Sequence, residues 1–219
     1  MVNSHIPIEI AAIILLLLLA NINSDGDYST ITRLQGVILL LFAVGYIIYT
    51  IYEENKSKDK NAKITNEKDN TPMFINVIYI ILGILGLKYG SDFVVDNAVI
   101  IAENIGLSEQ FIGVTIIAIG TTLPEIITGI VAARKDASDL LLGNIIGSNI
   151  LNLCLLAGIG SIISPLIYQT SFNSSILLLL AITVLLQFKV VKSDDNKLTR
   201  KTGAVMLLVY VCYIIFMMK

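Results

Sequence analysis

The sequence predicts an all-α, polytopic membrane protein of about seven transmembrane helices. Composition is the first ground. Hydrophobic residues make up 55% of the 219 positions and charged residues 15%, and mean hydropathy is +0.81. A soluble domain of this length would be far less apolar. The second ground is the spacing of apolar stretches, which divide the chain into helix-length runs. The third is a single hydrophilic linker, Glu53 to Asn70, mixing both charge signs with Asn and Ser and lacking apolar periodicity. Net charge is −2, so nothing points to nucleic acid. The bilayer is the first partner.

Hydropathy places the spans at 6–22, 34–52, 74–102, 109–133, 138–163, 173–189 and 202–218. No Lys or Arg precedes the apolar run Ile10 to Ala20, so span one reads as a retained helix rather than a cleaved leader. His5 stands alone near the start and reads as incidental. Glu9, near the inner end of span one, is expected to snorkel toward the headgroups. Lys88, Asp92 and Asp96 lie at i, i+4 and i+8 along span three, where a local Lys88–Asp92 ion pair is expected. Cys154 and Cys212 lack metal or redox spacing and read as buried free thiols.

Basic residues set the orientation. With the Glu53–Asn70 linker inside, Lys56, Lys58, Lys60, Lys63 and Lys68 are cytoplasmic. Arg134 and Lys135 after span four join them, as do Lys189, Lys192, Lys197, Arg200 and Lys201 after span six. That is twelve of the fifteen basic residues. The expected location is the cell membrane, with the N-terminus cytoplasmic and the C-terminus extracellular.

The chain also repeats itself. Shifting it by 167 positions matches Thr32-Arg33 with Thr199-Arg200 and Gly36 with Gly203. Leu40, Leu41, Val44, Tyr46, Ile47 and Ile48 then match Leu207, Leu208, Val211, Tyr213, Ile214 and Ile215. Spans two and seven would therefore be equivalent yet cross the membrane in opposite directions, an inverted-topology repeat of the kind secondary transporters use. On this reading residues 1–52 are the last two helices of a first unit. Residues 53–72 form a cytoplasmic linker, and 73–219 are a complete second five-helix unit. The first three helices of the first unit have no counterpart in the sequence.

Two polar interruptions stand out between residues 113 and 152. The first is Gly120-Thr121-Thr122-Leu123-Pro124-Glu125. Pro124 has no N–H to donate and clashes with the preceding turn, and Gly120 is a weak helix former, so a break is expected here. Backbone freed at membrane depth is tolerated only where it is buried in protein or lines a cavity. Thr121 and Thr122 lie four and three residues before Glu125, on one helix face. Hydroxyls, carbonyls and a carboxylate are hard oxygen ligands, suited to Ca²⁺ or Na⁺ rather than a thiophilic metal. A packing kink is the blander alternative, but no Lys or Arg lies within the apolar length of spans four or five to pair with Glu125.

The second interruption is Gly143-Asn144-Ile145-Ile146-Gly147-Ser148-Asn149. Asn144, Ser148 and Asn152 follow at i, i+4 and i+8 on one face, with Asn149 to the side. Gly143 and Gly147 form a small-xxx-small pair that would let another helix approach closely. Packing alone would explain the second motif. Joined to the first by the short Lys135–Asp139 turn, the two form a hairpin expected to set Glu125, Ser148 and Asn152 at similar depth.

Together these motifs resemble the alpha-repeat of the sodium/calcium exchanger family, within the cation/calcium antiporter superfamily. That repeat reads approximately G-T-S-x-P-E on one helix and G-N-x-x-G-S-N-I-x-[ND] on the next. The resemblance covers the chain as helices four to ten of a ten-helix fold and includes only the second of two alpha-repeats. It implies an exchanger-like fold lacking its first three helices. It implies Glu125 as the charged cation ligand and Thr121, Thr122, Ser148 and Asn152 as further ligands. Gly120 and Pro124 would shape the break, and Asn144, Asn149, Gly143 and Gly147 would hold the hairpin. Asn152 stands where relatives carry Asp or Asn, leaving one charge fewer than the Asp version.

The implied function is calcium/sodium antiport by alternating access, not enzymatic, with no cofactor beyond the transported ions. Two alternatives stay open: cation/proton antiport, with Glu125 carrying the proton, and a truncated or split subunit that transports nothing alone. Ca²⁺ takes about six to eight oxygens. Glu125 offers at most two and the other four residues one each, all from one side of a cage. A chain or segment carrying the first alpha-repeat is therefore the expected partner.

Overall fold

The computed structural model describes residues 2–24, 26–61, 72–106, 118–135, 137–192 and 200–217, together with Ile112 and Ile116. Its helices are α1 (Val2–Asn21), α2 (Arg33–Asn61), α3 (Met73–Asn104), α4 (Ala118–Thr121), α5 (Leu123–Arg134), α6 (Ser138–Ile150), α7 (Ala157–Ile163), α8 (Asn173–Lys192) and α9 (Arg200–Met217). A π-helical stretch, Leu151–Leu156, joins α6 to α7 without a break. Five helical segments among the described residues are long and apolar enough to cross a bilayer: Ser4–Asn21, Arg33–Lys56, Met73–Asn104, Leu140–Ile163 and Thr170–Lys189. Much of the expected fourth span, including Gly113, lies outside the described residues.

Two compact units result, one from Met1–Ile64 with Ser138–Met206, the other from Thr65–Ala137 with Leu207–Lys219. The core of the first is built by α1, α2 and the α6–π–α7 helix, with Ile6, Ile13, Leu39, Ile146, Ile150 and Cys154 almost wholly enclosed. Where α2 crosses α7 the backbones come close. A Cβ on Gly36 would lie 2.5 Å from Ser161 Oγ and 2.9 Å from the Gly158 carbonyl, and one on Gly158 would lie 2.9 Å from the Leu40 amide nitrogen. Only residues without a Cβ permit this crossing.

α2 starts on a capping box. The Thr32 amide donates to Gln35 Oε1 at 2.7 Å, and the Gln35 amide reaches back to Thr32 Oγ1 at 3.4 Å. Gln35 Nε2 also donates to the Leu19 carbonyl at 2.9 Å, fixing the start of α2 to the end of α1. The helix then continues to Asn61, well into the segment read from composition as a flexible linker.

Two short strands, β1 (Tyr28–Ile31) and β2 (Leu166–Gln169), pair antiparallel with Tyr28 opposite Gln169 and Ile31 opposite Leu166. The ribbon ties the α1–α2 connection to the α7–α8 connection. Beside it Asn21 and Asn173 exchange reciprocal amide bonds of 2.9 and 2.8 Å, and the Tyr168 hydroxyl donates to Asn173 Oδ1 at 2.7 Å.

The second unit is built around α3. This 32-residue helix is apolar over most of its length, with Lys88 at its middle and Asp92, Asp96 and Glu103 in its C-terminal half, and its membrane-spanning window buries nothing inside the protein. It ends where Gly106 takes a left-handed φ of 80° and its amide bonds to the Glu103 carbonyl at 3.0 Å. Cys154 is buried as expected, whereas Cys212 is exposed, against the expectation.

Two measurements check the ribbon. Asn173→Ala strands the Asn21 amide and the Tyr168 hydroxyl, and should lower stability by roughly 1–3 kcal/mol in denaturant unfolding in micelles. Burial also pushes the Tyr168 phenol above its ordinary 10.0. The folded chain then holds this proton at a pH where the unfolded chain releases it. The stabilisation is complete below about pH 10 and is lost as pH rises toward the folded value. Tyr168→Phe should flatten that alkaline limb.

Candidate functional site

The seven motif side chains with hydrogen-bonding or charged groups divide between the units, Thr121, Thr122 and Glu125 in one and Asn144, Ser148, Asn149 and Asn152 in the other. Each group is described in its own unit.

The break falls where Pro124 and Gly120 require it. α4 stops at Thr121, Thr122 takes φ −95° and ψ 0°, and α5 begins with Pro124 in its first turn. Thr122 serves both helices. Its hydroxyl donates to the Ile119 carbonyl at 2.9 Å, and its own carbonyl accepts from the Ile126 amide at 3.0 Å. The Thr128 hydroxyl donates to the Pro124 carbonyl at 2.8 Å, a contact the sequence reading missed. Thr121 and Thr122 are both exposed.

Glu125 sits in the first turn of α5, where the helix dipole favours negative charge. Its Oε2 is buried and has no hydrogen-bond partner. Gly120 is buried against α3, and a Cβ there would run into the side chain of Val95. Between α3 and the break lies a cavity of about 460 Å³, with Gly120, Thr121 and Pro124 on one wall and Lys88, Asp92 and Asp96 on the other. Lys88 forms no ion pair with Asp92, contrary to the spacing argument. Its Nζ lies 5.6 Å from the Tyr89 ring centroid.

In the other unit, Asn144 and Ser148 share a face of α6 as expected, both half-buried. The Asn144 Nδ2 is buried without a partner, and Ser148 Oγ donates to the Ile145 carbonyl at 3.1 Å. Asn152 departs from the simple i+8 stripe because it lies in the π-helical stretch, where the wider turn shifts the register; it is exposed. The expected close approach at Gly143 and Gly147 is absent. Gly143 faces open space, and a Cβ on Gly147 would meet only the Tyr46 hydroxyl, at an ordinary 3.7 Å.

Asn149 has a definite task. Its Nδ2 donates to Glu9 Oε1 at 2.6 Å, across 140 residues of sequence. Glu9 therefore does not snorkel: it is only 2% exposed and enclosed in the first unit's core. His5 is not incidental either. It pairs with Glu53 at 3.0 Å and lies edge-on to Tyr46 and Tyr49, each 5.8 Å away between centroids. Helical spacing aligns His5 with Glu9, a signal that could have flagged both. Among the described residues no group of three His, Cys, Asp or Glu could hold a metal ion.

Removing one partner of the Glu9–Asn149 bond should cost more than removing both. Asn149→Leu leaves a buried carboxylate unpaired and should destabilise by about 2–3 kcal/mol, while Glu9→Leu with Asn149→Leu together should cost far less. A double-mutant cycle on unfolding in micelles reads this directly.

Comparison with known proteins gives one consistent result. A family model described as "Sodium/calcium exchanger protein" matches residues 75–219. A putative antiporter, CaxA, of Alkalimonas amylolytica is 31% identical over 190 residues, 84% of this chain and 60% of that protein. The sodium/calcium exchanger MaX1 of Methanosarcina acetivorans is 41% identical over 92 residues, 42% of this chain and 26% of that one. Among solved structures, the sodium-calcium exchanger NCX_Mj soaked with Na⁺ and Sr²⁺ superposes with a TM-score of 0.73 at 25% identity, covering 97% of this chain and 64% of that one. The chain thus spans less than two thirds of the length of each of these three.

Proposed function

This chain belongs to the sodium/calcium exchanger family, and from that membership we propose that it takes part in calcium/sodium antiport by alternating access, as the larger portion of a two-repeat assembly. The observation that carries this reading is the buried, unpartnered Glu125 Oε2 beside the Thr122 break. Glu125 is the charged ligand for a hard cation. Thr121 and Thr122 add oxygens at the break, and the motif contributes Ser148 and Asn152. Gly120 and Pro124 keep the break open, while Asn144 and Asn149 maintain the second helix. The cavity between α3 and the break gives a hydrated ion room to approach Thr121.

The ligand count explains the need for a partner. Ca²⁺ takes about six to eight oxygens, and a single carboxylate is a weak basis for tight binding. A segment bearing the first alpha-repeat supplies the missing charge. Alternating access then follows from movement of one helix group against the other, the general plan of inverted-repeat transporters. The basic-residue bias orients the assembly with the N-terminus of this chain in the cytoplasm.

Proteoliposomes containing this chain together with a first-repeat segment should take up ⁴⁵Ca²⁺ in response to an outward Na⁺ gradient. Glu125→Gln should reduce that uptake by roughly two orders of magnitude, because carboxylate charge sets Ca²⁺ affinity. Vesicles with this chain alone should show no Na⁺-driven uptake. Undiminished flux in the Gln variant, or flux that follows a pH gradient and ignores Na⁺, would refute the proposal.

A further inference from the structure

Glu9 of α1 is enclosed in the first unit, and its Oε1 accepts from Asn149 Nδ2 at 2.6 Å. The bond meets the second motif helix at a sensitive point. Asn149 directly follows Ser148, and the π-helical stretch that holds Asn152 begins two residues later, at Leu151. The buried side of this helix recurs every four residues, at Leu142, Ile146, Ile150 and Cys154. An unbroken α-helix would carry such a stripe about 40° round its axis at each step. The wider π turn takes up that drift and keeps Cys154 on the enclosed side. Apolar packing is non-directional, so the stripe alone tolerates small rotations and slips. A hydrogen bond does not, and this one is made beside Ile150, just before the turn widens. Glu9 is itself held in place. His5, one turn earlier on α1, pairs with Glu53 of α2 at 3.0 Å, and Ser4 Oγ donates to the other Glu53 oxygen at 3.0 Å.

We propose that Glu9 is a positioning residue for the cation site: through Asn149 it fixes the rotation of α6 at the entry to the π-helical stretch, and so the direction in which Ser148 and Asn152 present their oxygens. The inference rests on the antiport reading above, in which Ser148 and Asn152 are cation ligands, and it adds a residue on another helix that governs them. Ser148 precedes the anchored residue by one position and Asn152 follows it by three, so a rotation of the helix at Asn149 moves both. Cation affinity depends on how well ligand oxygens are oriented, and groups that orient ligands matter nearly as much as the ligands themselves. The chain of contacts runs from Glu53 on α2, through Ser4 and His5 to α1, and from Glu9 to Asn149 on α6, all within one compact unit.

The test uses this chain with a first-repeat segment in proteoliposomes. It reads the Ca²⁺ concentration giving half-maximal Na⁺-driven ⁴⁵Ca²⁺ uptake separately from the maximal rate. Glu9→Gln keeps a carbonyl acceptor for Asn149 and should stay close to the unmodified chain in both. Glu9→Leu with Asn149→Leu removes the bond without stranding either partner, so the fold is kept. This double variant should raise the half-saturating Ca²⁺ concentration about tenfold or more and largely keep the maximal rate. A bond that only stabilises the fold would change the amount of folded protein and leave half-saturation where it was. Half-saturation of the double variant at the unmodified concentration overturns the positioning role and leaves the antiport reading standing. So does a Glu9→Gln variant weakened as much as the double variant, or a double variant that is unfolded in micelles. No Na⁺-driven uptake by the unmodified assembly overturns both readings.

Discussion

Inside a bilayer a polar group has no water to fall back on, so it must find its partner within the protein or bind something that enters it. Two carboxylates show both outcomes. Glu9 is enclosed in an apolar core and accepts a short bond from Asn149. Glu125 keeps a buried oxygen with no partner at all. A carboxylate in a membrane span costs roughly 3 kcal/mol even on the milder insertion scales. Glu9 offsets part of that cost within the fold. The unpartnered oxygen is the observation on which the proposed cation site rests, and Glu9 offers no such opening.

The backbone obeys the same constraint. Breaking a helix in lipid releases donors and acceptors, and the structure reuses them locally. At the first break Thr122 caps α4 through its side chain and starts α5 through its carbonyl, while Thr128 satisfies the carbonyl of Pro124. In the second motif helix no break is needed. The π-helical stretch around Asn152 keeps the backbone bonded while turning the side chains to a new angle. Both devices expose oxygen atoms without leaving peptide groups stranded.

The features legible in the sequence were those that one segment determines alone. Gly120 and Pro124 located the helix break, because each acts on its own turn. The apolar runs located the helices for the same reason. What escaped notice depends on residues far apart. Neither Glu9 nor Asn149 announces the other across 140 positions. The β1–β2 ribbon joins two four-residue segments, too short to show a strand period among longer apolar helices. Lys88 and Asp92 had the right spacing for an ion pair, yet the lysine lies near Tyr89 instead, a choice between exposed partners that spacing alone does not decide. The Gly143–Gly147 pair had the form of a packing motif, but the close crossing was made by Gly36 and Gly158. Small residues permit contact; the opposing helix decides where it occurs.

That last distinction is what gives the internal repeat its meaning. Two helices share nine identities, among them Thr-Arg, Gly and Tyr at matching positions. Glycine carries a penalty of about 1 kcal/mol against alanine in a helix interior. At Gly36 the penalty is offset by close packing on Ser161 and Gly158. At Gly203 the penalty is the same, and among the described residues a Cβ there would meet nothing within 4 Å, so one sequence pattern serves a close crossing in α2 and none in α9.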